Sequence, residues 1–120
     1  MKTIFQAVVV QVGEMVRDIA AENVLIFFDK KAPQELHDIA VLHEGGNLAE
    51  DIVAGDVFVI DDARYPIIFV GDKVNPAVKE LGHVSVKYGG ATEDMPGSIC
   101  IDAANVPAPE AGDVIQILRA

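Results

Sequence analysis

A chain of 120 residues, 51% apolar and 23% charged, fits one domain, expected over residues 1–120, and is long enough to bury a real core, which excludes a disordered polypeptide. Nineteen acidic residues against nine basic ones give a net charge of -10, which repels nucleic acid and anionic lipid and suits either simple solubility or a basic protein partner. The longest apolar runs, Ala7 to Val10 and Val24 to Phe28, fall far short of the ~20 residues of a membrane span, and Met1 to Gln6 shows no secretory signal, so a cytoplasmic chain not inserted in a membrane is expected.

Thr3 to Val12 is β-branched and apolar and stops at Gly13, the pattern of a first strand. Glu14 to Glu22 sets Met15, Val16, Ile19 and Ala20 on one face of a short helix. Val24 to Phe28 is continuously apolar between Asn23 and Asp29, as in a strand buried on both faces. Pro33 suits the first turn of a helix, and a single helical turn there leads into a strand from Ile39 to His43.

After Gly45-Gly46 come the turn Ala54-Gly55-Asp56, a strand Val57 to Ile60, the turn Asp61-Asp62 and a strand Tyr65 to Val70. Pro66 there lacks a ladder donor and is expected at an edge or a strand start. Asn75 to Leu81 reads as a helical turn with Asn75 as cap and Pro76 in the first position, ended by Gly82. His83 to Tyr88 alternates strictly, placing Val84, Val86 and Tyr88 toward the core and His83, Ser85 and Lys87 opposite. Pro96-Gly97 turns the chain into Ser98 to Asp102, and beyond Pro107-Ala108-Pro109 a final strand spans Val114 to Leu118.

Ala54-Gly55-Asp56-Val57 is echoed by Ala111-Gly112-Asp113-Val114, too short a match to define a duplication. About eight short strands with one or two helical turns predict an all-β fold, a small closed barrel or a barrel-like sandwich. Few charges at strand centres favour closure, which removes the edges that charge would otherwise protect.

The chemistry is expected at Val41-Leu42-His43-Glu44-Gly45-Gly46, where a histidine leaves a strand beside two glycines and is expected to be sterically open. Imidazole, with an unperturbed pKa of ~6.5, is both nucleophile and proton acceptor near neutrality. A strand-end histidine that merely caps backbone carbonyls is just as ordinary, and His37 and His83 have equally plain readings, as a solvated surface residue and a half-exposed sheet residue. Cys100 sits in an alternating segment and reads as a small core residue. One cysteine and three scattered histidines make no zinc spacing, so no metal is expected. No phosphate loop or serine-hydrolase elbow occurs. The pairs Asp61-Asp62 and Glu93-Asp94 are explained as turn residues.

With Ala32-Pro33, Glu35-Leu36, His43 ahead of a glycine, Leu48, Gly55, Arg64-Tyr65-Pro66, Val70-Gly71, Glu80-Leu81-Gly82-His83-Val84, Pro96-Gly97 and Gly112 in this order, the chain resembles the enzyme IIA component of the glucitol/sorbitol-specific phosphotransferase system over nearly its whole length. Members of that family can carry a second histidine close after the first, where this chain has Gly45. The resemblance implies a phosphocarrier without cofactor. His43 would accept a phosphoryl group from the phosphocarrier protein HPr and pass it to the IIB part of a IIB/IIC membrane permease that takes up sorbitol. The transferring group needs hydrogen-bond donors, which Gly45 and Gly46 N–H groups would supply as a cradle, with His83 ranked above Arg64 as further support. Two other classes remain open from the residues themselves: a non-catalytic acidic β-barrel that binds or regulates a partner, and a small-ligand barrel.

Overall fold

Along β1 (Lys2–Val12) Ile4, Ala7 and Val9 are buried while Gln6, Val8 and Val10 are exposed, the period-two pattern of a strand with one face on a core. The computed structural model describes residues 1–90 and 96–120, which leaves Glu93-Asp94 outside the described residues. Among the described residues seven further strands follow: β2 (Val24–Asp29), β3 (Val41–Glu44), β4 (Val57–Ile60), β5 (Ala63–Val70), β6 (Val84–Lys87), β7 (Ser98–Ile101) and β8 (Val114–Arg119). Helices α1 (Val16–Ala21) and α2 (Val74–Leu81) and a 3-10 turn (Gln34–Ile39) connect them. The strands close into a barrel in the order β1-β3-β2-β6-β7-β5-β4-β8, the all-β closed barrel expected from the alternation. Among the described residues no helix is long and apolar enough to cross a membrane.

An eight-stranded barrel is just wide enough for side chains to fill it. Phe27 and Phe58 meet edge to face inside, with ring centroids 5.7 Å apart. The cavity left at the His43 end is about 10 Å³, marginal for one water and too small for a ligand, so the small-ligand barrel has no room here.

The tetrapeptide echo is the visible trace of an internal pseudo-two-fold repeat. Exchanging β1, β2, β3 and β4 with β5, β6, β7 and β8 respectively leaves the cyclic strand order unchanged. Between β1 and β3, Val9 faces His43 and Gln11 faces Leu42 with a bulge between; between β5 and β7, Ile67 faces Ile101 and Phe69 faces Cys100 with the same bulge. Both halves pass from strand to helix through Val-Gly-x-x-Val, at Val12 to Val16 and Val70 to Val74, with Val16 N–H donating to Gly13 O and Val74 N–H to Gly71 O. The two Gly-Asp turns enter β4 and β8, and each aspartate accepts the backbone N–H three residues earlier, that of Val53 or Glu110.

Three local expectations give way to tertiary partners. α2 begins at Val74 with Lys73 before it and no side-chain cap. Asn75 is occupied instead by Ile52, accepting its N–H and donating to its carbonyl at 2.7 and 3.0 Å. Pro66 lies inside β5, paired with Val57, not at an edge. It is tolerated because Ile67 N–H points toward the β4 side, to Asp56 O, so the missing donor of Pro66 faces β7, whose ladder begins only at Ile67. His37 is half-buried rather than solvated, because the 3-10 turn folds it back so that Nε2–H donates to Ala32 O at 2.8 Å.

Candidate functional site

Period two decides where His43 points. β3 is short and wedged between β1, antiparallel, and β2, parallel. Val41 joins the main core, whereas Leu42 packs on the outer side with Phe28 and Ala40 beneath Leu36 of the 3-10 turn. His43 therefore returns to the inside, at the last inward position before the chain leaves the barrel at Glu44. It is 2% exposed, so the expected open imidazole is buried. Its cover comes from distant parts of the chain, which no local pattern announces.

The ring is fixed from two sides. Phe5 meets it edge-on, with centroids 5.8 Å apart and an interplanar angle of 89°. Nε2 is 2.8 Å from the carbonyl oxygen of Gly82, so Nε2–H donates there, while Nδ1 is buried without a partner among the described residues. Burial pushes the His43 pKa below its ordinary value, against the smaller opposing effects of the Gly82 carbonyl and the charge of Asp29, so the ring is held neutral. At the rim Lys30 pairs with Glu44 at 2.6 Å, and Lys30 N–H donates to His43 O.

Two glycines make the remaining wall. A Cβ at Gly46 would sit 2.8 Å from the Phe5 ring and 3.2 Å from His43 Cε1. At Gly82 it would sit 2.8 Å from His43 Cε1 and 2.9 Å from Asp29 N, and the φ of +60° is itself one that glycine adopts at no steric cost. A cleft of about 420 Å³ runs along the same Gly46 and Gly82, also lined by Phe28, Lys31, Pro33 and Leu81. At these glycines no side chain intervenes between His43 and the cleft.

The other expected site residues are distributed unequally. Gly45, with φ +80° and open space about it, forms the exposed turn beside Gly46. His83 follows Gly82 directly, but its ring stacks on Phe28, with centroids 4.1 Å apart, and its Nδ1 is 3.1 Å from Phe27 O. It is linked to His43 through the Gly82–His83 peptide unit rather than through ring contact. Arg64 is exposed on β5, opposite β3 in the strand order, with Nη1 3.1 Å from Met1 Sδ, and does not join the site. Reading the sequence missed Phe5 and the role of Gly82; a glycine ending a helix ahead of a strand was the available signal for the latter.

Fold and site together define an acidic closed β-barrel with a neutral histidine seated in its mouth. Residues 4–116 match the family model of the PTS system glucitol/sorbitol-specific IIA component. The chain is 31% identical over 108 residues to the PTS system glucitol/sorbitol-specific EIIA components of Shigella flexneri and of Escherichia coli (strain K12), covering 89% of this chain and 87% of each relative. This chain belongs to the PTS system glucitol/sorbitol-specific IIA component family. Its fold is similar to that of the crystal structure of a PTS system IIA component from Enterococcus faecalis V583, with a TM-score of 0.82 at 22% identity over 95% of this chain and 99% of that one.

Proposed function

We propose that residues 1–120 act as one domain, a cytoplasmic phosphocarrier of the sugar phosphotransferase system. His43 accepts a phosphoryl group from the phosphohistidine of HPr and passes it to the IIB part of a sorbitol permease. The observation that carries this reading is the state of His43: a neutral imidazole, oriented by the Gly82 carbonyl, with one nitrogen lone pair uncommitted. A neutral nitrogen is the nucleophilic form, and transfer between two histidine nitrogens is nearly balanced and makes no demand for a metal. Burial sets a condition on the transfer, because a donor must displace part of the wall. Gly46 is the exposed part of that wall, with Gly45 in the turn beside it, and the N–H groups of both are the proposed donors to the phosphoryl oxygens. His83 supports the site by anchoring the peptide whose carbonyl holds His43; Arg64, on the opposite side of the barrel, has no place in this proposal.

The test is incubation with phosphoenolpyruvate, enzyme I and HPr. The protein is expected to take an acid-labile phosphate that His43→Ala abolishes. A label surviving that change moves the site to His83 or His37, and a protein that binds HPr without ever being labelled is a non-catalytic module instead.

A further inference from the structure

Resting on the reading of His43 as acceptor, we propose that the phosphoryl group is taken on Nδ1, and that the Gly82 carbonyl is the group that selects this nitrogen by holding the proton on Nε2.

A carbonyl oxygen only accepts, so the 2.8 Å contact between Nε2 and Gly82 O requires a proton on Nε2. In a neutral imidazole the other nitrogen then carries the lone pair, and Nδ1 is the atom that makes no hydrogen bond among the described residues. Turning the ring by half a turn would bring Cε1 to the carbonyl and give up the Nε2 bond, so the orientation is not arbitrary. The carbonyl itself is well anchored. Gly82 caps α2 in the left-handed conformation, with its N–H on Val78 O, and the next residue is fixed by the stacking of His83 on Phe28.

The step balances without moving a proton at His43. The Nδ1 lone pair attacks phosphorus, and the phosphorus–nitrogen bond of the donor phosphoimidazole breaks with its electron pair returning to the donor nitrogen. The donor ring, protonated on its other nitrogen, leaves as neutral imidazole. His43 becomes a phosphorylated imidazolium that keeps Nε2–H, and its bond to Gly82 O turns from neutral to charge-assisted, which strengthens it as the charge appears.

Nuclear magnetic resonance of protein labelled with ¹⁵N-histidine tests both halves of this inference, with the His43 signals assigned by their loss in His43→Gln. In the unphosphorylated protein at neutral pH, long-range ¹H–¹⁵N correlations are expected to show an Nε2–H tautomer with an unprotonated Nδ1; the Nδ1–H tautomer would overturn the inference whatever the protein's function. After phosphorylation through enzyme I and HPr, phosphorus coupling is expected at Nδ1 of His43. Coupling at Nε2 of His43 overturns the choice of nitrogen while leaving the acceptor reading intact, and phosphate on another histidine overturns both.

Discussion

The two halves of the barrel share a bulge, a helix-entry glycine and a Gly-Asp turn, yet only one places a histidine in the interior. His43 on β3 and Ile101 on β7 occupy equivalent positions, facing Val9 and Ile67. The left-handed residue ahead of the following strand is Asn23 in one half and Gly82 in the other. The scaffold therefore asks only for an apolar filler at this inward position, and Ile101 shows what meets that demand. The site arises from two departures, an imidazole in one half and a glycine carbonyl from the other, brought together where β2 and β6 join the repeats.

The sharpest way to break this comparison is to make the halves alike. His43→Ile is expected to abolish labelling completely while keeping the fold, with stability nearly unchanged, since removing the unpartnered Nδ1, which costs about 1–3 kcal/mol, is offset by losing the Nε2 bond to Gly82 O. Adding Ile101→His to that variant should not restore labelling in the relay assay, because the residue equivalent to Gly82 is Asn23, whose carbonyl already accepts the Tyr88 N–H.

The paired aspartates give the next largest effect. Asp56 and Asp113 make the same turn bond, but Asp56 is 2% exposed and also holds Arg119 through two bonds of 3.0 Å. Burial alone would raise its pKa, but the Arg119 hydrogen bonds, the Val53 N–H and the Arg119 charge outweigh it and hold the carboxyl below its ordinary value. Asp56→Asn should cost about 3 kcal/mol in urea unfolding, by breaking a pair that is buried on one side. Asp113→Asn should stay within about 0.5 kcal/mol.

Gly82→Ala should cost about 2 kcal/mol, through the left-handed φ and the clash with His43 and Asp29, and should slow phosphoryl transfer. Asn23→Ala should cost about 1 kcal/mol, with labelling intact.

The smallest effect is a pH dependence confined to the first half. The folded pKa of His43 lies below 6.5, so below pH 6.5 the unfolded chain binds more protons and stability falls as pH drops toward the folded value. His43→Ile should flatten that part of the stability–pH curve, which Ile101→Val should leave unchanged. A slope that persists in His43→Ile would place the titrating group elsewhere.

How much of this was legible in the sequence follows the range of the interactions. Alternation is local, so the strands, the barrel and the core-facing set Val84, Val86 and Tyr88 could be read directly. The repeat was only hinted at by one tetrapeptide, because the bulges that define it are properties of strand pairing. His43 was recognisable as a chemical group at a strand end, but its burial depends on Phe5 and Gly82, which lie far from it in sequence. Asn75 misled for a related reason: its cap signature was real, yet the backbone of Ile52 competes for the same side chain. Arg64 was separated from the site by strand order, which its own neighbours do not encode.

Mapping the phosphate on the native chain tests the central claim most directly. After labelling through enzyme I and HPr, digestion and peptide analysis under alkaline conditions should find the phosphate on the peptide that contains His43. Phosphate on the peptide that contains His83 or His37, with His43 unmodified, would contradict the account.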